Sequence, residues 1–171
     1  MFIRTKKRDK NYYAYLVKNQ YVNGKTKQKV VRYLGRVIEL KGNKERNKIN
    51  ANTYFGFLKE LIKRETGGKE IRRNVIVCDN TTINLNKLEV KSNKKKRVIR
   101  LNEGFLCNYT LKRLFSIINE DYEDNFLFGK ELAKRLIESG IKVSKEEFIK
   151  IFNLALKERK KCGQRPELPA Q

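Results

Sequence analysis

The feature that most constrains this chain is an Asn-Gly pair flanked by alternating aromatic, β-branched and basic residues. The pair is Asn23-Gly24, inside FIRTKKRDKNYYAYLVKNQYVNGKTKQKVVRYLGRV, residues Phe2 to Val37. A type I′ turn needs positive φ at both central positions, which Asn and Gly tolerate, so the pair predicts a tight hairpin. Strands are expected over 2–7, 11–22 and 25–34, with Asp9-Lys10 turning the first into the second. A two-residue loop sets the register: Val22 opposite Lys25, Lys18 opposite Lys29, Val17 opposite Val30 and Tyr15 opposite Arg32. Side-chain alternation then puts Lys18, Lys25, Lys27 and Lys29 on one face near the turn. Asn19, Tyr21, Thr26 and Gln28 fall on the other. Toward the base both faces turn apolar, so the sheet reads as rooted at one end and projecting at the other. Tyr12, Tyr13 and Tyr15 sit near that base and read as core.

Charge says what such a sheet is for. The chain of 171 residues carries 41 Lys+Arg against 19 Asp+Glu, a formal charge of +22. So large an excess repels itself in a compact fold and points to a polyanionic partner, nucleic acid before membrane. Residues 1–38 hold eleven basic side chains against Asp9 alone, and 87–100 hold seven against Glu89. Residues 102–160 hold eleven basic and ten acidic, close to balance. The polyanion-binding surface therefore belongs to the two β segments.

Several classes fall away. There is no histidine, which removes Cys₂His₂ zinc fingers, His-based acid–base catalysis and Ser-His-Asp triads. Cys78, Cys107 and Cys162 are widely spaced, with no C-x-x-C pair, and read as reduced thiols of a cytoplasmic protein. Met1-Phe2-Ile3 does not open a signal peptide, and no apolar run reaches the length of a spanning helix.

Downstream, Lys44 to Arg64 takes helical spacing at Tyr54, Phe55, Leu58, Leu61 and Ile62, and Gly67-Gly68 ends it. A two-stranded ribbon buries too little alone, so this helix is expected across the base of the first sheet, making a module of residues 1–66. A second β-meander over 69–101 follows. It has strand-like Val75-Ile76-Val77-Cys78, a turn at Asp79-Asn80, alternating Ile83/Leu85 and Leu88/Val90, a turn at Ser92-Asn93 and a strand from Arg97 to Leu101. From Asn102 to Lys160 the chain reads helical: Phe105 to Ile118, then Leu127 to Glu138 stopped by Gly140, then a helix opened by the capping box Ser144-x-x-Glu147 with a Val143/Phe148 staple. Residues 161–171 read as a disordered tail. The fold class expected is α+β.

The segments Phe-Ile-Arg, Tyr-Tyr-Ala-Tyr-Leu-Val and Gln-Lys-Val-Val-Arg-Tyr-Leu-Gly-Arg-Val, within residues 1–38, resemble the N-terminal basic β module of bacterial and archaeal IS4/IS1634-type transposases. In that family the module precedes a DDE nuclease core of RNase H-like fold, so the resemblance implies DNA binding. Val75 to Thr82 is similar to the family's apolar strand ending in Asp-x-Thr, which would make Asp79 a first catalytic carboxylate. Two-metal phosphoryl chemistry needs further carboxylates converging on the ions. Those between Asp79 and the tail are Glu89, Glu103, the cluster Glu120, Asp121, Glu123 and Asp124, and helix-surface glutamates, none set in an apolar strand as the family's second aspartate is. Asp79-Asn80 therefore reads as a turn, and no catalytic residue, metal or cofactor is expected. Lys130–Gly140 and Ser144–Lys160 resemble helix-turn-helix in outline, but the turn is too long, so a helical hairpin or partner surface fits better.

The reading that results is a non-enzymatic DNA-binding protein, nucleoid-associated, whose basic β-ribbon docks on duplex DNA. Contacts are expected from Lys18, Lys25, Lys27, Lys29 and Arg32, then from Lys94, Lys95, Lys96 and Arg97, with Asn19 and Gln28 reading bases. The C-terminal helices pack the core or serve a homodimer or protein partner. The alternatives are a truncated or minimal DDE-type nuclease and an RNA-binding ribonucleoprotein component.

Overall fold

A computed structural model describes residues 1–40 and 49–163, without the side chains of 160–163. It is α+β. Nine strands form one mixed sheet: β1 (Phe2–Arg8), β2 (Asn11–Val22), β3 (Lys25–Glu39), β4 (Lys69–Arg72), β5 (Val75–Cys78), β6 (Thr81–Asn84), β7 (Glu89–Ser92), β8 (Lys95–Leu101) and β9 (Gly104–Leu106). The helices are α1 (Tyr54–Thr66), α2 (Asn108–Ser116), α3 (Asn125–Ser139) and α4 (Lys145–Gly163), with a 3₁₀ turn at Ile117–Asn119. No described helix is long and apolar enough to cross a membrane.

The first hairpin forms as its turn chemistry dictates, with Asn23 at φ 51° and Gly24 at φ 72°. Register holds as expected from Val22–Lys25 to Val17–Val30 and then departs. One extra residue on β3, Val31, puts Arg32 opposite Leu16 and Tyr33 opposite Tyr15; a second, Leu34, puts Gly35 opposite Ala14. Each bulge turns the following side chains by one position. Tyr33, which an unbroken register would put on the face of Leu16, therefore lies on the face of Tyr13 and Tyr15. Arg32 goes the other way, and Leu34 joins Ala14 and Leu16 in a small buried cluster with Val98 and Cys107.

The two β segments are continuous. β3 runs to Glu39 and pairs in parallel with β8, from Arg36 beside Arg97 to Glu39 beside Arg100. Gly35 makes the approach feasible, because a Cβ there would stand 2.9 Å from the Lys96 carbonyl oxygen. β4, rich in charge, carries no strand signal of its own. It forms by pairing with β5 at the sheet's edge, where charge is tolerated. The β7–β8 turn sits at Asn93-Lys94, both at positive φ, one residue later than the sequence implies, so Lys95, Lys96 and Arg97 already belong to β8.

The main core lies elsewhere than the base of the first hairpin. α1 buries Tyr54, Phe57, Leu58, Leu61 and Ile62 against Ile76, Ile83, Val90 and Ile99 of the second segment and Ile151 and Ala155 of α4; of β3 only Ile38 and the following Leu40 pack there. Thr53 caps α1, accepting from Gly56 N at 3.1 Å, and Gly67 closes it at φ 62°. The start of this helix falls at Tyr54; the expected portion over 44–48 lies outside the described residues. Phe105 and Leu106, expected in a helix, form β9 against β8 instead. A Cβ on Gly104 would stand 2.2 Å from Gly140 N, so this short strand and the end of α3 meet backbone to backbone. The Ser144 box forms as read, with Glu147 N donating to Ser144 Oγ at 3.2 Å and Ser144 N to Glu147 Oε2 at 2.9 Å. α4 continues to Gly163, and the rest of the expected tail, 164–171, lies outside the described residues.

Candidate nucleic-acid interface

Five registered pairs, Lys18–Lys29 to Val22–Lys25, extend the first hairpin beyond its neighbours. β1 leaves β2 at Phe2–Val17, and β8 accompanies β3 only from Arg36 onward. Residues 18–29 therefore stand as a two-stranded ribbon, about 16 Å long at ~3.3 Å per residue. Lys18 faces Lys29 directly, and Lys25 and Lys27 follow on the same side, all exposed. Like charges in opposed positions destabilise a sheet. Among the described residues no carboxylate pairs with any of the four, and before Glu39 the strands β1–β3 contain no acid.

Of the expected base readers, Asn19 and Gln28 are opposite one another on the other face, both exposed. The Gln28 carboxamide oxygen accepts a hydrogen bond from the Arg4 guanidinium. Among the described residues its amino group is left as the unengaged half of a bidentate pair.

The second basic cluster projects from the same end of the sheet, because β3 and β8 are parallel. Lys94, Lys95 and Lys96 are exposed and Arg97 half-buried. The register sets Lys96 near the level of Gly35 and Arg97 beside Arg36, so this turn stops about 25 Å short of the ribbon tip. Topology thus brings the two clusters to one end of the sheet but not to one spot. Lys91, opposite Lys96, is neutralised by Glu89 at 2.6 Å.

The tyrosines are where sequence reasoning missed most. Neither Tyr12 (48 % exposed), Tyr13 nor Tyr15 belongs to a core cluster. Tyr13, Tyr15 and Tyr33 form one group on the open face, with Tyr33 centred 5.4 Å from Tyr15 and 6.4 Å from Tyr13. Lys6 Nζ lies 5.8 Å from the Tyr15 ring centre. Partial burial, with the neighbouring Tyr15 and Tyr13, raises the Tyr33 hydroxyl pKa, and Arg97 opposes the rise. The Tyr33 hydroxyl is therefore neutral at physiological pH. The available signal was Gly35, since glycine inside a strand often marks a bulge.

Elsewhere the polar chemistry is inward and paired. Arg135, its side chain 7 % exposed, donates to Glu120 and Glu131 and to the Arg113 carbonyl oxygen at 2.6 Å. Its hydrogen bonds hold the Glu120 carboxyl down at about 2. Arg113 binds Glu131 and Glu138. The acidic cluster of the sequence thus serves, through Glu120, a structural network, and Asp124 caps α3 by accepting from Leu127 N at 2.7 Å. Asp79 occupies the β5–β6 turn at φ 47°. Burial pushes the adjacent Cys78 thiol up to about 11, which keeps it protonated. No group of three or more Cys, Asp or Glu among the described residues is placed to hold a metal ion. α3 and α4 spend Phe128, Leu132, Leu136, Ile151 and Ala155 on the main core.

Comparison with known proteins adds no assignment: no family model, no curated protein and no solved structure matches the chain.

Proposed function

We propose that the chain is a DNA-binding protein whose projecting ribbon, residues 18–29, docks on duplex DNA while the β7–β8 turn adds phosphate contacts. One observation carries this reading: two lysine-rich hairpin ends leave the same end of one sheet, and no carboxylate among the described residues pairs with the lysines of the ribbon. A ribbon of two strands fits the major groove, which is about 12 Å wide. Lysine ammonium groups hold phosphates without regard to sequence, and exposed amides such as Asn19 offer base readout. The resemblance of residues 1–38 to the basic module of transposases supports the same partner.

The experiment is equilibrium binding of the full chain to duplex DNA, single-stranded DNA and structured RNA at two salt concentrations. Duplex DNA is expected to bind well at low salt and to weaken steeply as salt rises. Preference for structured RNA over duplex DNA by more than about tenfold would replace DNA with RNA as the partner. Absence of binding to all three would remove the nucleic-acid reading altogether.

A further inference from the structure

We propose that the open face of β1–β3 is a stacking platform for an unpaired DNA strand, centred on Tyr33 and framed by Arg4, Lys6, Arg36 and Arg97. This rests on the duplex reading in one respect only, the choice of DNA; the platform is a separate surface from the lysine face of the ribbon.

Three observations converge on it. The first is the placing of the ring. Simple register would turn Tyr33 away from Tyr15, and the Val31 bulge reverses this, so that the two stand opposite. Bulges commonly re-aim a side chain at a functional surface. The second is exposure. Tyr33 is 52 % exposed, while Tyr13 and Tyr15 are half-buried beside it and hold it from one side. An aromatic cluster retained for packing alone would be covered, yet these three lie outside both buried clusters.

The third is charge. By register Arg4 opposes Tyr15, Lys6 opposes Tyr13, Arg36 opposes Tyr13 from the other side, and Arg97 lies beside Arg36, so all four cations share the tyrosine face. Rings that accept bases of any identity, bordered by cations that follow a phosphate chain, are what an unpaired strand requires. The same face continues past the buried Val17 and the exposed Val30 to Gln28, where Arg4 is bonded, and so leads onto the amide side of the ribbon. A strand leaving a duplex held at the ribbon meets the platform next.

The test measures affinity of the full chain for a blunt duplex, for the same duplex with a single-stranded oligo-dT tail, and for the oligo-dT alone. The tail is expected to improve affinity about tenfold, the scale of one stacked base. Tyr33→Leu should abolish that gain and Tyr33→Phe should keep it, with blunt-duplex affinity unchanged in both. A tail containing 5-iodouracil, irradiated with the wild-type chain, should crosslink within residues 12–36, a readout that needs no variant. No gain from the tail, a gain that survives Tyr33→Leu, or crosslinks confined to other segments would overturn the platform. An oligo-rU tail gaining about tenfold more than oligo-dT would overturn the assignment to DNA. If the blunt duplex fails to bind while tail and oligo-dT bind, the ribbon reading falls and the platform stands.

Discussion

Strands β5–β8 and strands β1–β3 belong to one sheet but meet different neighbours. The former are backed by helices, and Ile76, Ile83, Val90 and Ile99 are wholly buried there. The latter bury Ala14, Leu16 and Leu34 in a small cluster, with Val17 buried outside it, and leave Tyr21 77 %, Val30 46 %, Val31 47 % and Tyr33 52 % exposed. Charge divides the same way. In the helical part arginines are tied to glutamates at short range; in the first hairpin lysines face lysines. Burial and ion pairing make one region a scaffold, and the other presents exposed aromatic and basic surface. Stability and binding should accordingly be separable by mutation.

The largest effect should come from the scaffold core. Leu58→Ala, at a fully buried position, should cost about 2–5 kcal/mol in denaturant unfolding. An exposed hairpin change such as Tyr21→Ala should stay within about 0.5 kcal/mol. Equal losses would erase the distinction between the regions.

Next comes the arginine network. Arg135→Ala takes the arginine partner from Glu120, which among the described residues keeps only the Ser116 and Tyr122 hydroxyls, while Glu131 keeps Arg113. It should cost about 3 kcal/mol, the low end for a buried pair because the Glu120 side chain is 40 % exposed. Its pH signature sharpens the point. Glu120 has a folded pKa lowered from 4.5 to about 2, so its contribution is present above pH 4.5 and is lost as pH falls toward 2. Thermal unfolding between about pH 5 and about pH 2 should show that loss in the wild type and a shallower one in Glu120→Gln.

A smaller effect on folding is expected of the ribbon. Lys25→Ala with Lys27→Ala and Lys29→Ala removes opposed like charges, so stability should change by no more than about 0.5 kcal/mol. Duplex affinity should nevertheless fall, and its salt slope should shrink by about 0.9 for each phosphate that is no longer neutralised. A triple variant that unfolds would show the ribbon to be part of the scaffold.

Much of the scaffold was legible because its signals are local. Asn23-Gly24, Asp79-Asn80, Gly67, Gly140 and the Ser144–Glu147 box each specify a backbone conformation through their own side chains or the lack of one. What escaped depends on partners distant in sequence. Lys69–Arg72 is a strand only because β5 offers it an edge, and Phe105-Leu106 only because β8 does. The parallel join of β3 to β8 has no local mark beyond Gly35. At the candidate interface the lysines of the ribbon could be placed, since register is set by the nearby turn. The tyrosine face could not, because the bulge at Val31 inverts Arg32 and Tyr33 before the second, at Leu34, restores the alternation. Tyr33 sits one residue off an unbroken register and therefore on the opposite face.

If the unpaired lysines of the first hairpin bind duplex DNA, the salt dependence of that binding reveals it most directly. With about six phosphates neutralised, log K against log[salt] should have a slope near about −5. Replacing Lys18, Lys25, Lys27 and Lys29 together by alanine should bring it to about −1.5. Affinity that stays constant from low to moderate salt, or a slope untouched by the four substitutions, would contradict duplex binding by the ribbon.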